Sequence, residues 1–260
     1  MDHNKINNLL SDTLHLHKTG VISIIGAGGK TSLMFQLARE LSKLKNRVLT
    51  TTTTKIFMPK PLQSPDTIIE NSVDKLIQRA KINLKNFSHF SAGKKYDPVS
   101  KKLIGFSTHT INQLWKTCLF DWIIVEADGA KQRSHKASGS HEPVIPKDTT
   151  HLILVTGLDA VGKTLDDHSV HRPEIFSNNT GTGMGDVIDE QSIAASIDFE
   201  IKKAESLCCP AFNFILLNKA DTLHRTASGK KIAKLLKKNK IIEKIIVTSL
   251  KDGLSIKHIV

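Results

Sequence analysis

Residues 26–32 read "GAGGKTS": three glycines beside a lysine and two hydroxyls, after the apolar run "VISII" and before a helical pattern. Glycines let backbone N–H groups turn inward around an oxyanion. A neighbouring lysine supplies charge to β- and γ-phosphates, and the first turn of a helix adds its dipole. The predicted phosphate loop is therefore Gly26, Ala27, Gly28, Gly29, Lys30, Thr31 and Ser32. Lys30 would act on the phosphates, Thr31 would ligate Mg2+ and Ser32 would reach the α-phosphate. The loop is shorter than G-x-x-x-x-G-K-[ST], whose first glycine would fall on Ile24.

Two further segments complete a nucleotide site. "WIIVE" (122–126) leads into "ADG", and an apolar strand ending in acids can deliver a carboxylate to magnesium or its water. Glu126 and Asp128 are both candidates for this catalytic and metal-binding role, with the choice between them open. "FNFILL" (212–217) runs into Asn218, Lys219, Ala220 and Asp221, an N-K-x-D pattern. A carboxylate at Asp221 would accept from guanine N1–H and N2–H, the Lys219 stem would lie along the base, and adenine offers no such donor pair. "KIIVTSLKDGL" follows, where the remaining wall of a base pocket belongs. GTP is the first expectation and ATP the second.

These residues need a scaffold that gathers them at one edge. Apolar runs at 21–25, 47–54, 122–126, 151–156, 212–217 and 244–249 alternate with helical patterns such as Leu33, Leu37, Leu41 and Leu44. Continuous apolar strands between helices predict an α/β fold: a doubly wound, mainly parallel sheet of P-loop NTPase type. The chain of 260 residues reads as a single domain. The more polar stretch at about 60–115, with Pro61 and Pro65 and a hairpin near Asp97-Pro98, reads as a small α+β insertion.

Composition narrows the partners. A net charge of +12 favours anionic ligands, but 5% aromatic content argues against nucleic acid bound by base stacking. Basic runs such as 228–244 read as solvated helix faces. Three cysteines, Cys118, Cys208 and Cys209, make neither a disulfide framework nor a zinc pattern, and the pair before the 212–217 strand reads as core. The N-terminal stretch lacks a leader pattern and no run is long enough to span a membrane, so the expectation is a soluble cytoplasmic protein. Asp166, Asp167, His168 and His171, with His141, are compact enough in sequence to ligate a divalent ion, although a polar loop is the plainer reading.

With these segments in view, the chain resembles the YqeC family, described as accessory proteins of selenium-dependent molybdenum hydroxylases. The resemblance rests on "GAGGKTS", "TTTTKI" (51–56), "EADGAKQRSHKASGSHEPVIP" (126–146), "GLDAVGKTLDDHSVHRPEIF" (157–176) and "LNKAD". It departs after "EADGAK", where "QRSHKASGS" replaces a smoother proline-containing run, although Lys136 and His141-Glu142-Pro143 are retained. The short phosphate loop is similar to that of Mur-type ligases. Glu126-Ala127-Asp128-Gly129 resembles the E-x-x-G of UreG- and HypB-type GTPases, which implies that the Gly129 N–H senses the γ-phosphate. The family implies nucleotide-dependent work in maturing a molybdenum hydroxylase or its cofactor. A nucleotide-switched carrier or chaperone, or a ligase or kinase for a small molecule, stands beside it. Lys55, Lys136, His141, Glu142, His171 and Arg172 are the expected substrate or partner residues.

Overall fold

The computed structural model describes residues 10–260. Residues 1–9, the first part of the stretch read for a leader, lie outside them. The chain begins with a short helix, α1 (Leu10–Thr13), then the glycine-loop strand β1 (Gly20–Gly26) and helix α2 (Lys30–Lys43). Strands β2 (Val48–Thr52), β3 (Lys55–Phe57) and β4 (Thr67–Ile69) precede helix α3 (Val73–Asn83). Next come β5 (His89–Gly93), the hairpin β6 (Lys95–Asp97) and β7 (Lys102–Ile104), and α4 (Thr108–Lys116). The acid-tipped β8 (Trp122–Glu126) is followed by β9 (His135–Lys136), β10 (His151–Gly157), β11 (Val170–His171), α5 (Pro173–Thr180) and α6 (Glu190–Cys208). The chain closes through β12 (Phe212–Asn218), α7 (Leu223–Leu236), β13 (Lys244–Ser249) and β14 (Ser255–Ile259).

Nine of the described strands form one sheet in the order β14-β13-β12-β10-β1-β8-β2-β5-β4. Every pairing in it is parallel except that of the edge strand β14 with β13. The sheet is mainly parallel and doubly wound because its central strands are apolar on both faces. Val21, Ile25, Ile123, Val125, Leu152, Leu154, Ile215 and Leu217 belong to one core with α3 through α7. Ile22, Ile24, Ile124, Ile153, Val155, Phe214 and Leu216 belong to the other, under α2 and α1. The α2 apolar stripe, Leu33, Leu37 and Leu41, is fully buried there. No helix of the described residues is long and apolar enough to cross a membrane.

The stretch expected as an insertion at about 60–115 divides differently. β4 and β5 extend the main sheet beyond β2, and α3 and α4 pack on one of its cores. Only β6 and β7 stand apart, joining β3 in a three-stranded antiparallel sheet. The polar character that set β5 apart from the other strands is internal. His89 and Ser91 meet Thr50 of β2 within the sheet, at 3.1 and 2.7 Å, so their polar atoms are partnered away from water. Cys208 is half-buried against the core, but Cys209, which ends α6 in a left-handed conformation, is exposed.

Candidate functional site

The β1–α2 turn sits at the carboxyl edge of the sheet, between the ends of β8 and β10, where open α/β sheets bind ligands. Its glycines are required by space as well as by φ. Gly28, at φ 82°, leaves no room for a Cβ against the Gly157 amide and the Ser134 carbonyl, and at Gly29, at φ 137°, a Cβ would strike the Asn218 amide. Three of its amides are already engaged. Gly26 N–H donates to Asp128 (2.9 Å), Ala27 N–H to the Val155 carbonyl (2.8 Å) and Gly28 N–H to the Arg133 carbonyl (3.2 Å). Of Gly26, Gly28 and Gly29, whose N–H groups were expected to turn toward phosphate, the first two donate within the protein in this structure. The groups left for an oxyanion are those from Gly29 through Ser32, at an α2 N-terminus that carries no side-chain cap.

Lys30 is 4% exposed. Its Nζ donates to the Gly26 carbonyl (2.6 Å), makes an ion pair with Asp128 (2.7 Å) and lies 3.8 Å from Glu126. Burial pulls the Lys30 pKa down, but Asp128 and Glu126 beside it outweigh that and raise it, so the group is charged. Thr31 Oγ1 donates to Glu126 Oε2 at 2.7 Å, and both side chains line the cleft. Burial raises the Glu126 pKa, against the opposing pull of Lys30 and Thr31. The hydroxyl and carboxylate present hard oxygens together, the donor set Mg2+ takes.

The structure places the two candidate acids differently. Asp128 is fully buried, does not line the cleft, accepts from Gly26 N–H and makes ion pairs with Lys30 and Lys136 (3.0 Å). It holds the loop and its lysine, whereas Glu126 stands on the cleft wall. Lys136 is equally buried and continues the network to the Gly129 carbonyl (3.0 Å) and to Glu142 (2.6 Å). Glu142 is gripped in turn by both Arg172 terminal nitrogens, at 2.7 and 3.1 Å. Its pKa falls to about 2 because the hydrogen bonds from Arg172 and Lys136 overcome the cost of burial. Lys30, Lys136 and Arg172 thus balance Glu126, Asp128 and Glu142 in one connected cluster.

The third expected segment reaches the same loop from the other side. Asn218 Nδ2 donates to the Gly28 carbonyl at 2.8 Å. Lys219, at φ 65°, sends its ammonium to Asp159 (3.0 Å) and Ser134 (2.8 Å). Asp221 accepts from Ser249 Oγ at 2.5 Å and lies 3.5 Å from Arg225. Gly28, Gly29, Ser32, Asn218, Lys219, Asp221, Leu250 and Lys251 surround a 280 Å³ pocket. Across the loop lies a 650 Å³ cleft, bounded by Lys30, Thr31, Glu126 and Gly129 at one end.

Residues 22–174, more than half of the chain, match the YqeC protein family. This chain belongs to the YqeC family. It is 34% identical over 171 residues to "Uncharacterized protein YqeC" of Escherichia coli (strain K12). That match covers 62% of this chain and spans 60% of the relative's length. Among solved structures it aligns with FtsY from Mycoplasma mycoides (TM-score 0.41, 14% identity, 93% of this chain and 64% of that one). It also aligns with the hydrogenase maturation factor HypB from Archaeoglobus fulgidus (TM-score 0.41, 14% identity, 94% and 87%). A third match is a GTPase in apo form from Pyrococcus abyssi (TM-score 0.38, 9% identity, 90% and 92%).

In this YqeC-family chain the remaining expected residues separate. Lys55, at the head of β3, lines the large cleft, as Glu142 does, whereas Arg172 touches it through Glu142 and Lys136 through Glu142 and the Gly129 carbonyl. His141 is exposed and outside the cluster, and His171 lies on β11 with its pKa lowered, first by burial and then by Arg172 and Lys136. The divalent-ion site at Asp166, Asp167, His168, His171 and His141 is not formed. Among the described residues no three His, Cys, Asp or Glu side chains gather to hold a metal. Asp166 instead caps its own turn, accepting from the His168 and Ser169 amides. Sequence reading missed Ser134 and Asp159, which hold Lys219, and the strap Ala130–Arg133 over the cleft. The strap is marked by two consecutive left-handed residues, Lys131 and Gln132, which no sequence motif announces.

Proposed function

We propose that this YqeC-family chain is a cytoplasmic Mg2+-dependent nucleoside triphosphatase, with GTP preferred over ATP. The observation that carries the reading is the Thr31–Glu126 hydrogen bond at the mouth of a glycine loop whose lysine is buried and charged. In the reading, phosphate oxygens take the free amides of Gly29 through Ser32, and Lys30 turns from Asp128 toward them. Thr31 and Glu126 would hold Mg2+, which neutralises charge on the β- and γ-phosphates. Gly129, on the cleft wall, would sense the terminal phosphate. The guanine preference rests on Asp221, which Ser249 orients beside the smaller pocket.

The work this drives is, in the proposal, maturation of a selenium-dependent molybdenum hydroxylase or its cofactor. What supports that assignment is the resemblance of the chain's motifs to a family described as accessory proteins of such hydroxylases. Calorimetry and phosphate release test the chemistry. Lys30→Ala should abolish triphosphate binding in a folded protein. Glu126→Gln should keep affinity within severalfold while slowing hydrolysis about 100-fold, because its charge matters most as the transition state forms. Wild-type hydrolysis by Glu126→Gln would remove the catalytic role of the strand-end acid.

A further inference from the structure

The cleft beside the glycine loop has walls that the nucleotide reading does not use. Besides Thr31, Glu126 and Gly129 it is lined by Thr54 to Phe57, Lys102 and the strap 130–133. These come from three separate elements. Lys55 and Phe57 alternate with buried Ile56 on β3, and Lys102 of β7 pairs directly across from Phe57. On this face of the small sheet the Lys102 ammonium lies 5.3 Å from the Phe57 ring centre, and Phe57 is 53% exposed. The strap adds Lys131 and Arg133 to the lining.

Among the described residues, Lys55, Lys102, Lys131 and Arg133 form no salt bridge. The acids on the cleft wall are committed elsewhere, Glu126 to Thr31 and Lys30, Glu142 to Lys136 and Arg172. Asp97 acts electrostatically on Lys55, but its oxygens are taken by Ser100 and by the Val99 amide of its own hairpin. Like charges converging on one concavity with low-dielectric walls create a strong field for an anion. The whole cleft, its glycine-loop end included, holds 650 Å³, within the range of small-molecule sites, roughly 300–1,000 Å³.

We propose that Lys55, Lys102, Lys131 and Arg133, with the Phe57 ring, form a second site for a phosphorylated small molecule, facing the terminal phosphate of the nucleotide. The proposal rests on the nucleotide reading only for what lies opposite; the second site is defined by its own residues.

Isothermal titration of the full chain with inorganic pyrophosphate tests it. Two classes of site are expected. Lys30→Ala should remove the one in the glycine loop. The triple variant Lys55→Gln, Lys102→Gln, Lys131→Gln, all on exposed or half-exposed side chains, should weaken the other at least about tenfold. The triple variant should leave Mg-GTP affinity within about twofold. A single class of site, unchanged by the triple variant, overturns the proposal. So does a short oligothymidylate that outcompetes pyrophosphate and is itself lost in the triple variant, since the occupant is then nucleic acid. If no nucleotide binds but pyrophosphate still binds in a manner that depends on the three lysines, the second site stands and the nucleotide reading falls.

Discussion

Asp128→Asn isolates the buried charge cluster from any question of ligand. The carboxylate makes two ion pairs, at 2.7 Å to Lys30 and 3.0 Å to Lys136, and receives the Gly26 amide at 2.9 Å, all without exposure to water. Asparagine keeps one oxygen to accept but replaces the other with a donor that must face an ammonium. Two buried cations would then share only Glu126 and Glu142, both of which already have other partners. Removing one member of a buried pair costs about 3–5 kcal/mol, and the retained oxygen places this case near the lower figure. A loss of about 3 kcal/mol in a chain of this size lowers Tm by roughly 6–12 °C, at about 2–4 °C per kcal/mol. Urea denaturation of Asp128→Asn, Lys136→Met and the double variant gives the assay. The double variant should lose about 1–3 kcal/mol less than the sum of the singles, because removing the second charge relieves the first. A single-variant loss below about 1 kcal/mol, with additive singles, would refute the assignment of Asp128 as the hub.

Two other outcomes are expected. Asp221→Asn should reduce a GTP-over-ATP preference of about tenfold or more to near parity and admit xanthosine triphosphate; equal GTP and ATP affinities in the unmodified protein would reduce Asn218–Asp221 to an ordinary turn. Glu142, depressed to about 2 in the folded chain from an unfolded value near 4.3, contributes stability that is fully present above that unfolded value and lost as pH falls toward 2. Glu142→Gln should therefore flatten the stability profile in that acid window, read by denaturant midpoints at successive pH values, and a slope identical to the unmodified protein would show that the ion pairs with Lys136 and Arg172 do not hold in solution.

The scaffold was legible where strands are buried on both faces. β8 and β13 match their apolar runs residue for residue because both are buried on both faces, β8 between two parallel neighbours and β13 between parallel β12 and the antiparallel edge strand β14. β5 was not, because His89 and Ser91 satisfy each other's neighbourhood through Thr50, a partnership made across sequence that polarity alone misreports. At the site, residue type named Lys30, Thr31, Glu126 and Asp128 together, but only packing separates an acid on the cleft wall from one that faces two lysines. Which amides of the glycine loop remain free was equally hidden. That depends on Val155 and Arg133, far away in the chain.

The hydrogen bond from Asn218 to the Gly28 carbonyl has a thermodynamic consequence. In the nucleotide reading proposed above, it would tie the two ends of the ligand to one backbone atom, coupling the pocket beside Asp221 to the cleft beside Thr31. Whatever factor occupancy of the phosphate end adds to affinity for the base, occupancy by the base must return to the phosphate end, since linkage is reciprocal. Substitution of Asn218 would then act chiefly on that coupling: nucleoside and inorganic phosphate would each bind much as before, while the intact nucleotide lost the advantage of carrying both.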